Sequence, residues 1–82
     1  MSLSLVATKE SDTDDACLYA IGTPGNMTGR VRLHKSSGDI EILDRPASAD
    51  GLNPHFVLAE VVPRLQGYHD RRSYPDRDRW SV

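Results

Sequence analysis

Arg30-Val-Arg-Leu-His-Lys35, Ser36-Ser-Gly38 and Asp39-Ile-Glu-Ile-Leu43 follow one another directly, two alternating apolar and polar runs joined by turn-forming residues. Alternation with a period of two, interrupted by Ser-Ser-Gly, predicts a β-hairpin. A four-residue loop from Lys35 to Gly38 sets Val31 opposite Ile42 and Leu33 opposite Ile40 on one face. It sets Arg32 opposite Glu41 and His34 opposite Asp39 on the other. A three-residue loop would place Leu33 across from Glu41 and mix the faces. Side-chain period therefore selects the four-residue loop.

Upstream, Ala16-Cys-Leu-Tyr-Ala-Ile21 is apolar on both alternating sets, the pattern of a central strand covered wholly on one face and partly on the other. Leu3-Ser-Leu-Val-Ala-Thr8 mixes apolar and hydroxyl residues as a strand does, and Glu10-Ser-Asp-Thr-Asp-Asp15 then reads as a charged loop. Gly22-Thr-Pro-Gly-Asn-Met-Thr-Gly29 holds three glycines and a proline, and is expected to be a long turn outside either ladder. Downstream, Asn53-Pro54 offers a helix cap and a first-turn proline. Phe56, Val57, Val61, Leu65 and Tyr68 draw an apolar stripe along the helix that follows. Pro63 lacks the N–H that would bond the Ala59 carbonyl, so the helix is expected to bend there and to end near Gly67.

These readings give an α+β fold, a small four-stranded antiparallel β-meander with one C-terminal helix packed on one face, in the order ββββα. The strands are Leu3–Thr8, Ala16–Ile21, Arg30–His34 and Asp39–Leu43. One domain spans 1–82: a meander over 1–45, linker and helix over 46–67, and a partly irregular tail over 68–82 in which Tyr74 and Trp80 pin the chain back onto the body.

A chain of 82 residues buries only about 60 to 65% of its unfolded surface and leaves little room for an enclosed catalytic site. No single-chain constellation points to catalysis, so an enzyme would need a pocket assembled between subunits, and none is expected. With one cysteine and no apolar run approaching membrane-spanning length, the expectation is a soluble, cytoplasmic chain with no membrane partner. Charge is unevenly divided. Residues 1–62 carry five basic residues against nine acidic ones, and residues 63–82 carry five arginines against three aspartates.

Several motifs fail on spacing. A calcium loop begun at Asp12 puts Cys17 where the turn glycine belongs and Thr23 where the bidentate glutamate belongs. His34, His55 and His69 lie in separate segments, and no pair with Cys17 has a zinc spacing, so no metal is expected. Burial would raise the Cys17 pKa and so oppose a nucleophilic role. The glycine stretch lacks the Gly-Lys-Ser/Thr ending and the following helix of a phosphate loop, and no cofactor is expected.

The segment that folding explains least is the last. Arg64, Arg71, Arg72, Arg77 and Arg79 are interleaved with Tyr68, Tyr74 and Trp80, the composition of protein-interface hot spots and of base-stacking surfaces, and of these Arg71, Arg72, Tyr74, Arg77, Arg79 and Trp80 are singled out. With Arg30, Arg32 and His34 on the polar sheet face, these are the candidate partner-binding residues. The expected partner is another protein or a second copy of the chain, as a homodimer. Nucleic acid is the alternative, disfavoured because Asp70, Asp76 and Asp78 alternate with the arginines and would repel phosphates while pairing locally with the guanidiniums.

Overall fold

The computed structural model describes residues 3–46 and 53–82. Its elements are β1 (Ser4–Asp12), β2 (Ala16–Thr23), β3 (Asn26–His34), β4 (Ile40–Asp44), α1 (Pro54–Arg71) and β5 (Arg77–Ser81). They build one antiparallel sheet of order β4-β3-β2-β1-β5 with the helix across one face. The first four strands are the expected meander. The fifth corrects the expectation of a partly irregular tail, because residues 77–81 pair with β1 from Ser4↔Ser81 to Thr8↔Arg77. Part of the expected linker, residues 47–52, lies outside the described residues.

The hairpin that decides the fold takes the register set by its side-chain period: Val31↔Ile42, Arg32↔Glu41 and Leu33↔Ile40. Its loop is closed by the His34 amide donating to the Asp39 carbonyl at 2.9 Å, with Gly38 at a φ of 78°. A Cβ at Gly38 would also lie 2.9 Å from His69 Nδ1, so the glycine serves both the turn and the docking of the helix C-terminus on it.

Two strands run further than expected. β2 and β3 continue through most of the glycine-rich stretch, and the turn is confined to Pro24-Gly25 between the paired Thr23 and Asn26. Proline supplies the fixed φ of the first turn position and Gly25 the positive φ of the second. Gly29 lies inside the ladder, where a Cβ would sit 2.7 Å from Ile21 Cγ1 and 3.0 Å from Pro46 Cγ. It is there for close approach. β1 likewise runs on to Asp12 through a bulge at Glu10, which corrects the expected loop over Glu10–Asp15.

Leu5, Ala7, Cys17, Tyr19, Ile21, Val31 and Leu33 form the helix-side face of the sheet, and Val57, Leu58, Val61, Leu65 and Tyr68 of α1 pack onto it. Phe56 departs from the expected stripe and is 40% exposed, because Leu58 occupies the inward position beside Val57. Asn53 Oδ1 caps the helix by accepting from the Phe56 amide at 2.9 Å, with Pro54 in the first turn. The helix passes through Pro63 and beyond Gly67 to Arg71, where Arg72 takes a left-handed conformation. Bonds from Arg72 N to the His69 carbonyl and from Ser73 N to the Tyr68 carbonyl complete a Schellman-type stop. The extra turn carries Tyr68 into the core beside Tyr19, with ring centroids 5.7 Å apart. That burial outweighs the stop signal of Gly67.

Candidate functional site

β5 divides the tail residues between the two faces of the sheet. Leu5↔Trp80 and Ala7↔Asp78 put Trp80 and Asp78 on the helix side, whereas Val6↔Arg79 and Thr8↔Arg77 put both arginines on the open side. Asp78 is a polar residue in an inward position, and the helix satisfies it. Arg64 Nε donates to its carboxylate at 2.8 Å, and the Tyr68 hydroxyl donates at 2.5 Å. The Arg64 hydrogen bond holds the Asp78 carboxyl below the usual range, with the Tyr68 hydroxyl adding to it. Burial pushes the Tyr68 phenol up, and the neighbouring carboxylate pushes it further.

Arg64 also lies over the Trp80 ring, 4.9 Å from its centroid. Beside this pair is an open cleft of about 480 Å³ lined by Glu60, Pro63, Arg64, Gly67, Arg71 and Trp80. Glu60, Arg64, Gly67 and Arg71 recur at spacings of three and four, so they form one stripe of α1 flanking β5. A Cβ at Gly67 would lie 3.3 Å from Arg71 Nη1. The missing side chain leaves room for the Arg71 guanidinium, whose centre is 5.9 Å from that of the Tyr68 ring.

The remaining candidates have structural employment. Arg72 Nη1 donates to the Lys35 carbonyl at 2.8 Å, and His69 Nε2 meets the same oxygen at 2.9 Å, tying the helix end to the hairpin tip. Tyr74 lies with its ring under the Lys35 ammonium, and its buried hydroxyl has no hydrogen-bond partner among the described residues. On the open face Arg30 pairs with Glu10 at 2.8 Å and with Asp44 at 3.5 Å. Arg32 and His34 share Glu41, at 3.0 and 3.2 Å. The His34 hydrogen bond and then that of Arg32 hold the Glu41 carboxyl low.

Arg77 and Arg79 differ from these. Among the described residues no carboxylate lies within ion-pair distance of either side chain. They stand two residues apart on β5, an edge strand whose outer backbone pairs with no other strand among the described residues.

The acidic segment contributes a structural carboxylate. Asp12 accepts from Lys35 Nζ at 2.5 Å, from Lys9 Nζ at 3.0 Å and from the Cys17 thiol at 3.5 Å. The Lys35 hydrogen bond, followed by that of Lys9, holds its carboxyl far below the usual range. Lys9 also reaches the Tyr74 carbonyl and Asp76, and the Tyr19 hydroxyl donates to the Pro75 carbonyl at 2.8 Å. The segment leading into β5 is thus clamped from β1 and β2. Burial pushes the Cys17 thiol up, as does its bond to Asp12, so it is protonated at neutral pH.

Among the described residues no group of three or more His, Cys, Asp or Glu is placed to hold a metal ion, and no helix is long and apolar enough to cross a membrane. The sequence marked Arg64 only as one of the interleaved arginines and Asp78 only as a carboxylate pairing locally with them; the cleft was not anticipated, and a partial signal was Asp78 standing between Arg77 and Arg79 with Trp80 next along the chain. Comparison with family models, with curated proteins and with solved structures finds no match for the chain.

Proposed function

We propose that this chain is a non-catalytic protein-interaction module that contacts its partner along the β5 side of the sheet. The observation that supports the reading is that Arg77 and Arg79 lack carboxylate partners, whereas Arg30, Arg32 and His34 on the same face are each engaged by one. Arginines of this kind are common anchors of protein interfaces. Nucleic acid is the less favoured partner, because stacking on bases calls for aromatic and cationic groups on one surface. Here Arg77 and Arg79 lie on the face opposite Trp80, and the arginines that do share its side, Arg64 and Arg71, stand with the carboxylates of Asp78 and Glu60, which repel phosphate. A single cysteine, buried and free, is in keeping with a reducing, cytoplasmic setting.

The test is retention of proteins from an extract of the native host on the immobilised chain, beside the double variant Arg77→Glu/Arg79→Glu. The expected result is a protein species retained by the parent chain and lost with the variant. Equal retention by both, or retained material that nuclease removes, overturns the reading.

A further inference from the structure

The edge on which Arg77 and Arg79 stand is five residues long, Arg77-Asp-Arg-Trp-Ser81, contains no proline and has no outer strand partner among the described residues, so its outward N–H and C=O groups can take one. Its surroundings are not symmetric. On the open side it presents the two arginines, and on the helix side it borders the cleft containing Trp80 and Arg71. Arg64 is committed to Asp78, whereas Arg71 has no carboxylate within ion-pair distance among the described residues.

Three occupants compete for such an edge, and the register separates them. A second copy, pairing β5 with β5 about a two-fold axis normal to the sheet, must centre on a residue so that the faces match. Centred on Asp78, it sets Asp78 against Asp78 and Arg77 against Arg79. Centred on Arg79, it sets Arg79 against Arg79. In both of these registers like charges meet directly, which disfavours the cross-strand pair, and centring on Trp80 avoids it only by reducing the overlap of the strands to residues 79–81. Single-stranded nucleic acid would find Arg77 and Arg79 on the face opposite Trp80, and the cleft that does join Trp80 to Arg71 also holds Glu60 and borders the Asp78 carboxylate, which repel phosphate. An extended polypeptide with carboxylates at alternate positions meets neither obstacle. Successive same-face positions in a strand are about 6.6 to 6.8 Å apart, the spacing that Arg77 and Arg79 themselves have.

We infer that β5 receives an acidic extended segment of a partner protein as a sixth strand. Two alternate carboxylates of the segment lie opposite Arg77 and Arg79, and the side chain between them enters the cleft against Trp80 and Arg71. The inference rests on the protein-interaction reading above and specifies its partner chemistry. Backbone pairing supplies attachment without sequence preference, and the alternating arginines supply selectivity for alternating acid. The same charges disfavour the register centred on Arg79, in which the whole edge would overlap its own copy.

The test uses the full chain with three acetylated and amidated hexapeptides: Glu-Val-Glu-Val-Glu-Val, its lysine counterpart Lys-Val-Lys-Val-Lys-Val, and the blocked isomer Glu-Glu-Glu-Val-Val-Val. A thymidine oligonucleotide is the fourth probe. Trp80 is the only tryptophan, so its emission reports occupancy of the cleft, and backbone amide shifts locate the contact. Expected are a Trp80 emission change and amide shifts confined to residues 77–81 and the facing α1 stripe, with affinity for the alternating acid about tenfold above the blocked isomer. Arg77→Glu/Arg79→Glu should reverse the preference toward the lysine peptide. Arg77→Gln/Arg79→Gln, which adds no new charge, should weaken the acidic peptide alone. Equal binding of the two acidic isomers, tighter binding of the oligonucleotide, or a concentration-dependent dimer that competes with peptide overturns the inference. If no peptide binds while the arginine-dependent retention from host extract persists, strand addition fails and the interaction reading stands. If both are lost, both fail.

Discussion

Three tyrosine hydroxyls of this small protein are spent in three ways, and stability should sort them. Tyr68 donates to the Asp78 carboxylate, Tyr19 donates to the Pro75 carbonyl, and Tyr74 keeps a buried hydroxyl without a partner among the described residues. A hydrogen bond to a charged acceptor contributes about 1.5 to 3 kcal/mol and one to a neutral acceptor about 0.5 to 1.5 kcal/mol, whereas an unsatisfied buried hydroxyl is a cost. Urea denaturation of the three Tyr→Phe variants should therefore rank Tyr68→Phe as the most destabilised and Tyr19→Phe next. Tyr74→Phe should be unchanged or more stable. A Tyr74→Phe loss equal to that of Tyr68→Phe would contradict the assignment. The ranking also separates the two fates of the arginine and aromatic tail: Tyr74 belongs to the clamp formed by Lys9 and Lys35, whereas Trp80 faces the cleft.

At the scale of the element, α1 carries an internal proline that local energetics oppose. Proline inside a helix costs about 3 kcal/mol relative to alanine, and here it leaves the Ala59 carbonyl without its usual donor. Pro63→Ala should restore that bond and raise the thermal midpoint, by about 1 to 3 kcal/mol in stability; a lowered midpoint would show that the ring's packing on the cleft wall outweighs the backbone gain. The sequence made the meander legible because Val31, Leu33, Ile40 and Ile42 keep a strict period of two and only one register serves both faces. β5 was hidden for a matching reason. Its inward positions are Asp78 and Trp80, and an inward aspartate reads as solvent-facing until Arg64 and Tyr68 are known to meet it. Gly67 misled in the same way. As a residue it signals a helix end, but the core gained by Tyr68 one position later carries the helix onward. Of the candidate binding residues, composition marked only the segment, and strand pairing is what separates Arg77 and Arg79, the two arginines of the proposed contact, from the structural Arg72 and Tyr74.

Across the whole molecule, three carboxylates bind fewer protons in the folded state than their ordinary values imply: Asp12 between Lys35 and Lys9, Glu41 between His34 and Arg32, and Asp78 beside Arg64 and Tyr68. Because their folded pKa values are depressed, the unfolded chain takes up protons first as pH falls. Their contribution is complete above the ordinary carboxylate range, near 4, and is lost as pH drops below it toward the folded values. Urea midpoints should therefore hold steady from neutral pH to about 5 and fall steeply below about 4, with a shallower fall for Asp78→Asn; an unchanged midpoint at pH 3 would contradict this. The place of β5 in the sheet also has a kinetic side. β1 finds one neighbour, β2, only a few residues away, but its other neighbour lies at the far end of the chain, with the Val82 amide bonded to the Leu3 carbonyl. Closing a loop that contains nearly the entire polypeptide is the most entropically demanding contact in the fold, so it forms after the local hairpins. While the chain is folding, the unguarded flank is therefore the Ser4–Thr8 stretch of β1, which has no charged residue to ward off strangers until β5 arrives.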